Sequence, residues 1–446
     1  MQSEIKTYTY PDGCIQRIQL VRWDSWAELD FLEMSYSGDA LTCFSNIYRN
    51  FLVPAAPWMF GHMIMFHIPE DLHVPFPFET GKYGAVADRL TAAAAALQNG
   101  VRIVNGKPVF SDEQVKQFYQ ALEARNSLRI ISGKLPTTTV IPLGDCPGYL
   151  TETEADARLK VNANFFIMDR FDCATIYDQV GTPFGLCVKD GVVSRPPLYQ
   201  REALLVRENG TVDIRSMDVR ELEIQINGEH FFHGKNAVVY TRPKGLRTPG
   251  GKGKKLVIVG NRVAAVVTGS AAIPASGFVL CPRGECSAKA GDAVVYHGLE
   301  DVVFGIQVGN SIVKNGIKTE KFLSKFYNIR HLEPVAYPPS LYPMDFAHAR
   351  AARIALGADE EGKPMLLWAE GAAKFGYEKG KGSCGASLAE MAEICADVGM
   401  VNAVNLDGGG SAQILLNNQR ALEISDRNRE DHSEAERPVP LGLIVR

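Results

Sequence analysis

The sequence predicts an α+β protein: a large mixed, mostly antiparallel sheet system with a few flanking helices, preceded by a helix-containing N-terminal region. Three observations carry this. Residues 201–315 hold nine short runs rich in Val, Ile and Leu, separated by turns such as Asn227-Gly228 and Asn315-Gly316. The last hundred residues alternate strand, turn, strand, helix, strand, glycine loop and strand. Before residue 150, two stretches have helical texture.

Taken in chain order, CIQRIQLVRW near the start alternates as a strand does. The segment NFLVPAAPWMFGHMIMFHIP, residues 50–69, lacks Asp, Glu, Lys and Arg and has about the length of a bilayer helix. Pro54 and Pro57 would break that helix, and His62 and His67 would lie at hydrocarbon depth, so it is expected to be core and no membrane span is predicted. Helices are expected at 83–100 and 111–127, the second opened by a capping box of Ser111 and Gln114. Residues 1–149 form an N-terminal region. Residues 150–446 form the main domain. Within it, RPKGLRTPGGKGKK at 242–255 carries six basic residues and reads as a solvated hairpin loop rather than a polyanion site.

Composition narrows the function. The 446 residues carry 47 Lys+Arg against 51 Asp+Glu, a net charge of −4, which argues against a nucleic-acid partner. Nine scattered cysteines without a CxxC pair indicate neither a disulfide framework nor a zinc site, and Cys281 and Cys286 are expected to be reduced. The histidines form no HExxH, and HFFH would put His230 and His233 on opposite faces of a strand, so no metal and no cofactor are implied. The N-terminus shows no basic segment followed by an apolar one, so a cytoplasmic site is expected, or a secreted one if a signal was trimmed.

The strongest chemical signal is VNAVNLDGGGSA at 401–412, following a helix opened by a capping box of Ser387 and Glu390. Asp407 ends an apolar strand, and three glycines in succession suit backbone that takes positive φ or lets a ligand approach. Their N–H groups are expected to form an anion-cradling nest. Without a following Lys the motif is no Walker A loop, and with the helix before it no dinucleotide fingerprint.

The motif resembles the phosphodiester glycosidase family, and its neighbours occur in the family's order: ARIALG at 352–357, LLWAEG at 366–371, GASLAEMAE at 385–393, ISDR at 424–427 and ERPVP at 436–440. Upstream, VNANFF at 161–166 and GLCVKDGVV at 185–193 look like the family's opening strand and turn, and the resemblance implies that the first strand of residues 1–149, in IQRIQLVRW, could join the catalytic fold, the rest being an insertion. Glu370 stands where the family usually has Asp, and Ile354 where it has Thr. The resemblance implies a hydrolase that breaks the C1–O bond of a sugar-1-phosphodiester, releasing free sugar and a phosphomonoester. It implies Asp407, Glu370 and Arg353 as catalytic residues. Asn162, Asn164, Asn405, Gly408, Gly409, Gly410, Ser411, Asp426 and Arg437 are the candidate substrate-binding residues, for a sugar-phosphate or glycan partner. The two carboxylates are expected to face one cleft, and the arginine forks to hold phosphate oxygens. A carbohydrate-binding protein without turnover, or a phosphodiesterase breaking P–O, remains an alternative, and the sequence leaves the oligomeric state open.

Overall fold

The computed structural model describes residues 1–33, 102–104, 107–109, 150–153, 155–166, 183, 185–197, 201–241, 248–271, 273–274, 277–322, 347–373, 376–427, 431–437 and 439–446. The expected helices at 83–100 and 111–127 and the apolar segment 50–69 lie outside the described residues, as does the first part of the basic stretch, 242–247. Among the described residues the protein is mainly β, with one α-helix, Leu388–Asp397. The α+β expectation is thus met only loosely. No helix there is long and apolar enough to cross a membrane.

The site is carried by a seven-stranded sheet. Its order is Gln2–Thr9, Ile15–Arg22, Pro364–Ala369, Arg353–Ala358, Asn402–Asn405, Ser311–Lys314 and Ile317–Lys318, with every neighbouring pair antiparallel. Both faces of its centre are covered, which is why Arg353–Ala358 and Pro364–Ala369 are buried at every residue and read as continuous apolar runs. Ile354, Leu356, Leu366, Trp368 and Val404 point into the main core. Ala355, Leu367, Ala369 and Ala403 point the other way, against Leu388, Met391, Ile394 and Cys395 of the helix. Each fully buried Leu, Ile or Met there contributes about 1.5–3 kcal/mol. The helix begins where the sequence predicts, with the Ser387 side chain accepting from the Glu390 N–H and the Glu390 side chain accepting from the Ser387 N–H.

Strands near the chain start are built into the same sheets as the C-terminal half. Ile15–Arg22 pairs with Pro364–Ala369, and Leu29–Glu33 pairs with Leu441–Val445 in a four-stranded sheet that also holds Leu159–Asn162 and Ile414–Leu416. The middle region forms five-, four- and three-stranded antiparallel sheets. The hairpin dipeptides act as predicted: Asn227-Gly228 and Asn315-Gly316 all take positive φ, between 50° and 77°. Cys281 and Cys286 are free thiols.

Candidate functional site

Asp407 lies just past the strand Asn402–Asn405, and its backbone is held on both sides. Its N–H donates to Ala163 O at 2.9 Å, and its carbonyl accepts from Asn162 Nδ2 at 2.7 Å. Asn162 Oδ1 in turn accepts from Gln413 N at 3.0 Å, so this fully buried amide spends both of its polar ends on the glycine loop. Asn162 is therefore a brace for the loop, where the sequence offered it as a sugar ligand. Asn164 is similarly committed, donating to Gln307 O at 3.1 Å.

The three glycines are required for three different reasons. A Cβ on Gly408 would lie 2.6 Å from Ala352 O, so the loop crosses the neighbouring strand at a separation no side chain permits. Gly409 has φ +59° with open space around it, so conformation alone favours glycine there. A Cβ on Gly410 would meet Asp426 Oδ2 and Arg437 Nη2 at 2.2 and 2.3 Å. The loop is not the open nest that the sequence suggested. Gly408 N donates to Asp407 Oδ1, Gly409 N to Ala352 O and Ser411 N to Gly408 O, which leaves the Gly410 N–H without a backbone partner among the described residues.

Around this loop the structure gathers four charged groups. Asp426 and Arg437 form an ion pair against Gly410, with Arg437 Nε and Nη2 donating to Asp426 Oδ2 at 3.0 and 2.8 Å. Extending the register Ala355↔Asn405 by two residues brings Arg353 beside Asp407. Arg353 also ties down the neighbouring chain, donating from Nε to Ala386 O at 3.0 Å and from Nη2 to Ala349 O at 2.9 Å. Asp407 is only 8% exposed, and burial pushes its carboxyl pKa up to about 6. The nearby Ser411 hydroxyl, the Arg437 charge, the Gly408 N–H and the Arg353 charge each favour the ionised form, without cancelling the burial.

Glu370 is not among these groups. Arg353 faces Ala369 across the strand pair, so the alternation of side chains puts Glu370 on the opposite face from Arg353. There its Oε2 accepts from Arg17 Nε at 2.6 Å and its Oε1 from Glu423 N at 2.8 Å. Burial raises its pKa, against the Glu423 N–H and Arg17, which lower it. The carboxylate close to Asp407 through Gly410 and Arg437 is Asp426, which the sequence ranked behind Glu370.

Several polar atoms at the site are buried without a hydrogen-bond partner among the described residues. They are both amide atoms of Asn405 and the Ser425 hydroxyl. Buried polar groups are normally satisfied, so such a cluster marks a place where a ligand or ordered water completes the bonding. The Asn405 amide lies beside Gly309, where a Cβ would meet Asn405 Nδ2 at 2.9 Å and the Phe165 ring at 3.1 Å. Ser425 and Gly309 escaped the sequence reading. Ser425 stands inside ISDR, beside the more conspicuous charge of Asp426, and Gly309 carries no signal other than its flanking strands.

The sequence pattern of the phosphodiester glycosidase family matches residues 220–446, which contain Arg353, Asp407, Asp426 and Arg437. The chain belongs to the phosphodiester glycosidase family. Among curated proteins, it is similar to N-acetylglucosamine-1-phosphodiester alpha-N-acetylglucosaminidase from Mus musculus, 37% identical over 100 residues. The Homo sapiens protein of the same name is 36% identical over 100 residues. These matches span 22% of this chain and 18% of each relative. Among solved structures, the zebrafish N-acetylglucosamine-1-phosphodiester alpha-N-acetylglucosaminidase catalytic domain, auto-inhibited by its pro-peptide, is 14% identical with a TM-score of 0.36, covering 100% of this chain and 82% of that one. A putative exported protein from Burkholderia pseudomallei is 16% identical with a TM-score of 0.43, covering 100% and 96% of the two chains.

Proposed function

We propose that this phosphodiester glycosidase hydrolyses the C1–O bond of a sugar-1-phosphodiester at Asp407, giving free sugar and a phosphomonoester. The observation that carries this reading is the buried Asp407 carboxyl, its pKa pushed up to about 6, held at a glycine loop beside the charges of Arg353 and Arg437. A carboxyl titrating near neutrality is suited to move a proton or attack an anomeric carbon as positive charge develops there. A departing phosphate ester carries its own negative charge, so it needs donors and cations more than a strong general acid. Arg437, with its fork oriented by Asp426, and Arg353 supply the positive charge. The Asn405 amide is left to bond sugar or phosphate oxygens, while the Ser411 hydroxyl favours the ionised Asp407 carboxylate. Glu370 serves in this reading as a brace between the strand Ile15–Arg22 and the 423–426 segment.

The test is turnover of a panel of α-sugar-1-phosphodiesters by wild type and Asp407→Asn. The expected result is hydrolysis by wild type and a loss of at least ~10³ in kcat for the variant, with calorimetric binding preserved. Full activity in Asp407→Asn would remove the proposal, and binding without turnover by the wild type would identify a carbohydrate-binding protein instead.

A further inference from the structure

Away from Asp407, in a different sheet, the small three-stranded unit Ile224–Ile226, Glu229–Phe231 and Val294–Tyr296 has one apolar and one polar face. Ile224, Ile226, Phe231, Val294 and Tyr296 are buried on its inner side. On the outer side the register places His230 opposite Gln225, and His297 N donates to Glu223 O at 3.0 Å. Directly opposed residues share a face, so Glu223, Gln225, His230 and His297 converge from three adjacent strand segments. His230 Nδ1 lies 2.5 Å from Glu223 Oε1, and His297 Nε2 lies 3.9 Å from the same oxygen. The two imidazoles stack 5.8 Å apart at 15°. The HFFH pair of the sequence is not the one that meets: His233 turns inward, its Nδ1 accepting from Val239 N at 3.0 Å, and His230 finds His297 instead.

We propose that Glu223, His230 and His297 form a binding site for a divalent transition metal of the zinc class, unconnected with the hydrolytic site. One ligand atom from each residue already lies within 4.8 Å of the others. Zinc bonds to nitrogen and oxygen are about 2.0–2.1 Å, so a tetrahedral ion needs ligand atoms about 3.3 Å apart. The observed separations, from 2.5 Å to at most 4.8 Å, bracket that value.

A second observation points the same way. The other ring nitrogen of His297, Nδ1, lies 3.2 Å from Glu300 Oε1. A carboxylate on the outer nitrogen is the arrangement that fixes the tautomer of a metal-binding histidine, leaving the Nε2 lone pair directed at the ion. Without an ion, Gln225 spans the two rings, with its Oε1 3.1 Å from His297 Nε2 and its Nε2 3.3 Å from His230 Nε2, so metal binding replaces the Gln225 contact at His297 Nε2. Two imidazoles and one carboxylate select zinc-class ions over magnesium or calcium, which take oxygen ligands. Three protein ligands leave a fourth position to water, and an ion held there would tie the three strand segments together.

The test uses the full chain, freed of metal by a chelator, dialysed, and titrated with zinc alone. Wild type is expected to bind one more zinc per chain than the His230→Ala/His297→Ala variant, with X-ray absorption showing imidazole and oxygen ligands for that ion. Glu300→Gln should keep the stoichiometry while weakening the affinity by ~10-fold or more, the effect of an outer-shell carboxylate. His230 and His297 are exposed, so the double variant should unfold at the wild-type urea concentration in the absence of metal. Equal zinc content in wild type and the double variant would overturn the proposal. Sulfur ligation of the extra ion would also overturn it, by assigning the zinc to cysteines. Either outcome is independent of whether the protein hydrolyses phosphodiesters.

Discussion

Replacing Asp407 by Asn should stabilise the protein at neutral pH while removing its activity, and the size of the gain follows from the burial of the carboxyl. The group titrates at 3.8 in an ordinary setting and at about 6 in the folded chain. The folded state therefore holds its proton more tightly than the unfolded state, and the stability linked to that proton is fully present below pH 3.8. It is lost as pH rises towards 6. At about 1.36 kcal/mol per pH unit, the difference corresponds to about 3 kcal/mol of destabilisation by the ionised carboxylate above pH 6. An Asn amide of the same shape is neutral at every pH, and its oxygen can still accept from the Gly408 N–H, which now bonds Asp407 Oδ1 at 2.9 Å. The assay is urea unfolding of both proteins from pH 3.5 to 8. The variant's advantage should grow across the interval from 3.8 to about 6 and then level off near 3 kcal/mol. A difference that stays flat with pH, or that favours the wild type above pH 6, would refute the claim that Asp407 is held in the fold at the expense of stability.

Other substitutions separate the roles assigned to the loop and its neighbours. Gly409→Ala should cost about 1–2 kcal/mol, since φ +59° is the sole obstacle. Gly408→Ala should cost more and lower the melting temperature further, because its Cβ would sit 2.6 Å from a backbone oxygen. Asp426→Asn, which keeps an oxygen able to accept from Arg437, should leave the protein folded yet reduce kcat/KM by ~10-fold or more, because the Arg437 fork loses its charged partner. Unchanged kinetics would make the pair purely structural. Glu370→Gln should do the reverse, weakening the fold while the activity per folded molecule stays within ~3-fold of wild type. A 10³-fold fall in kcat would return Glu370 to the reacting centre.

The parts of the structure set by local patterns were legible in the sequence. The capping box at Ser387 and Glu390 marked the helix start, Asn-Gly pairs marked hairpins, and the apolar run before Asp407 marked a strand with a carboxylate beyond its end. What one residue of register decides was not legible. Glu370 and Asp407 both follow apolar strands, but the pairing of Arg353 with Ala369 turns Glu370 away, and a shift of one residue would have turned it back. Nor does glycine spacing reveal which N–H groups a loop spends on itself, so the expected anion nest proved to be a loop closed on Asp407 and Ala352. Asn162 read as a sugar ligand for a similar reason: an amide in a buried strand serves backbone and ligand equally well, and only the position of Gln413 and Asp407 shows which. The approach of Asp426 to Arg437 across Gly410 needed the fold, because the two lie 11 positions apart in a polar stretch of chain.

The central claim is that the bond broken lies between the anomeric carbon and oxygen, and the fate of the solvent oxygen tests it directly. Hydrolysis of an α-sugar-1-phosphodiester in oxygen-18 water should place the label in the free sugar and none in the phosphomonoester. Label in the phosphate would mean that P–O breaks, and would contradict the assignment of Asp407 to chemistry at the sugar.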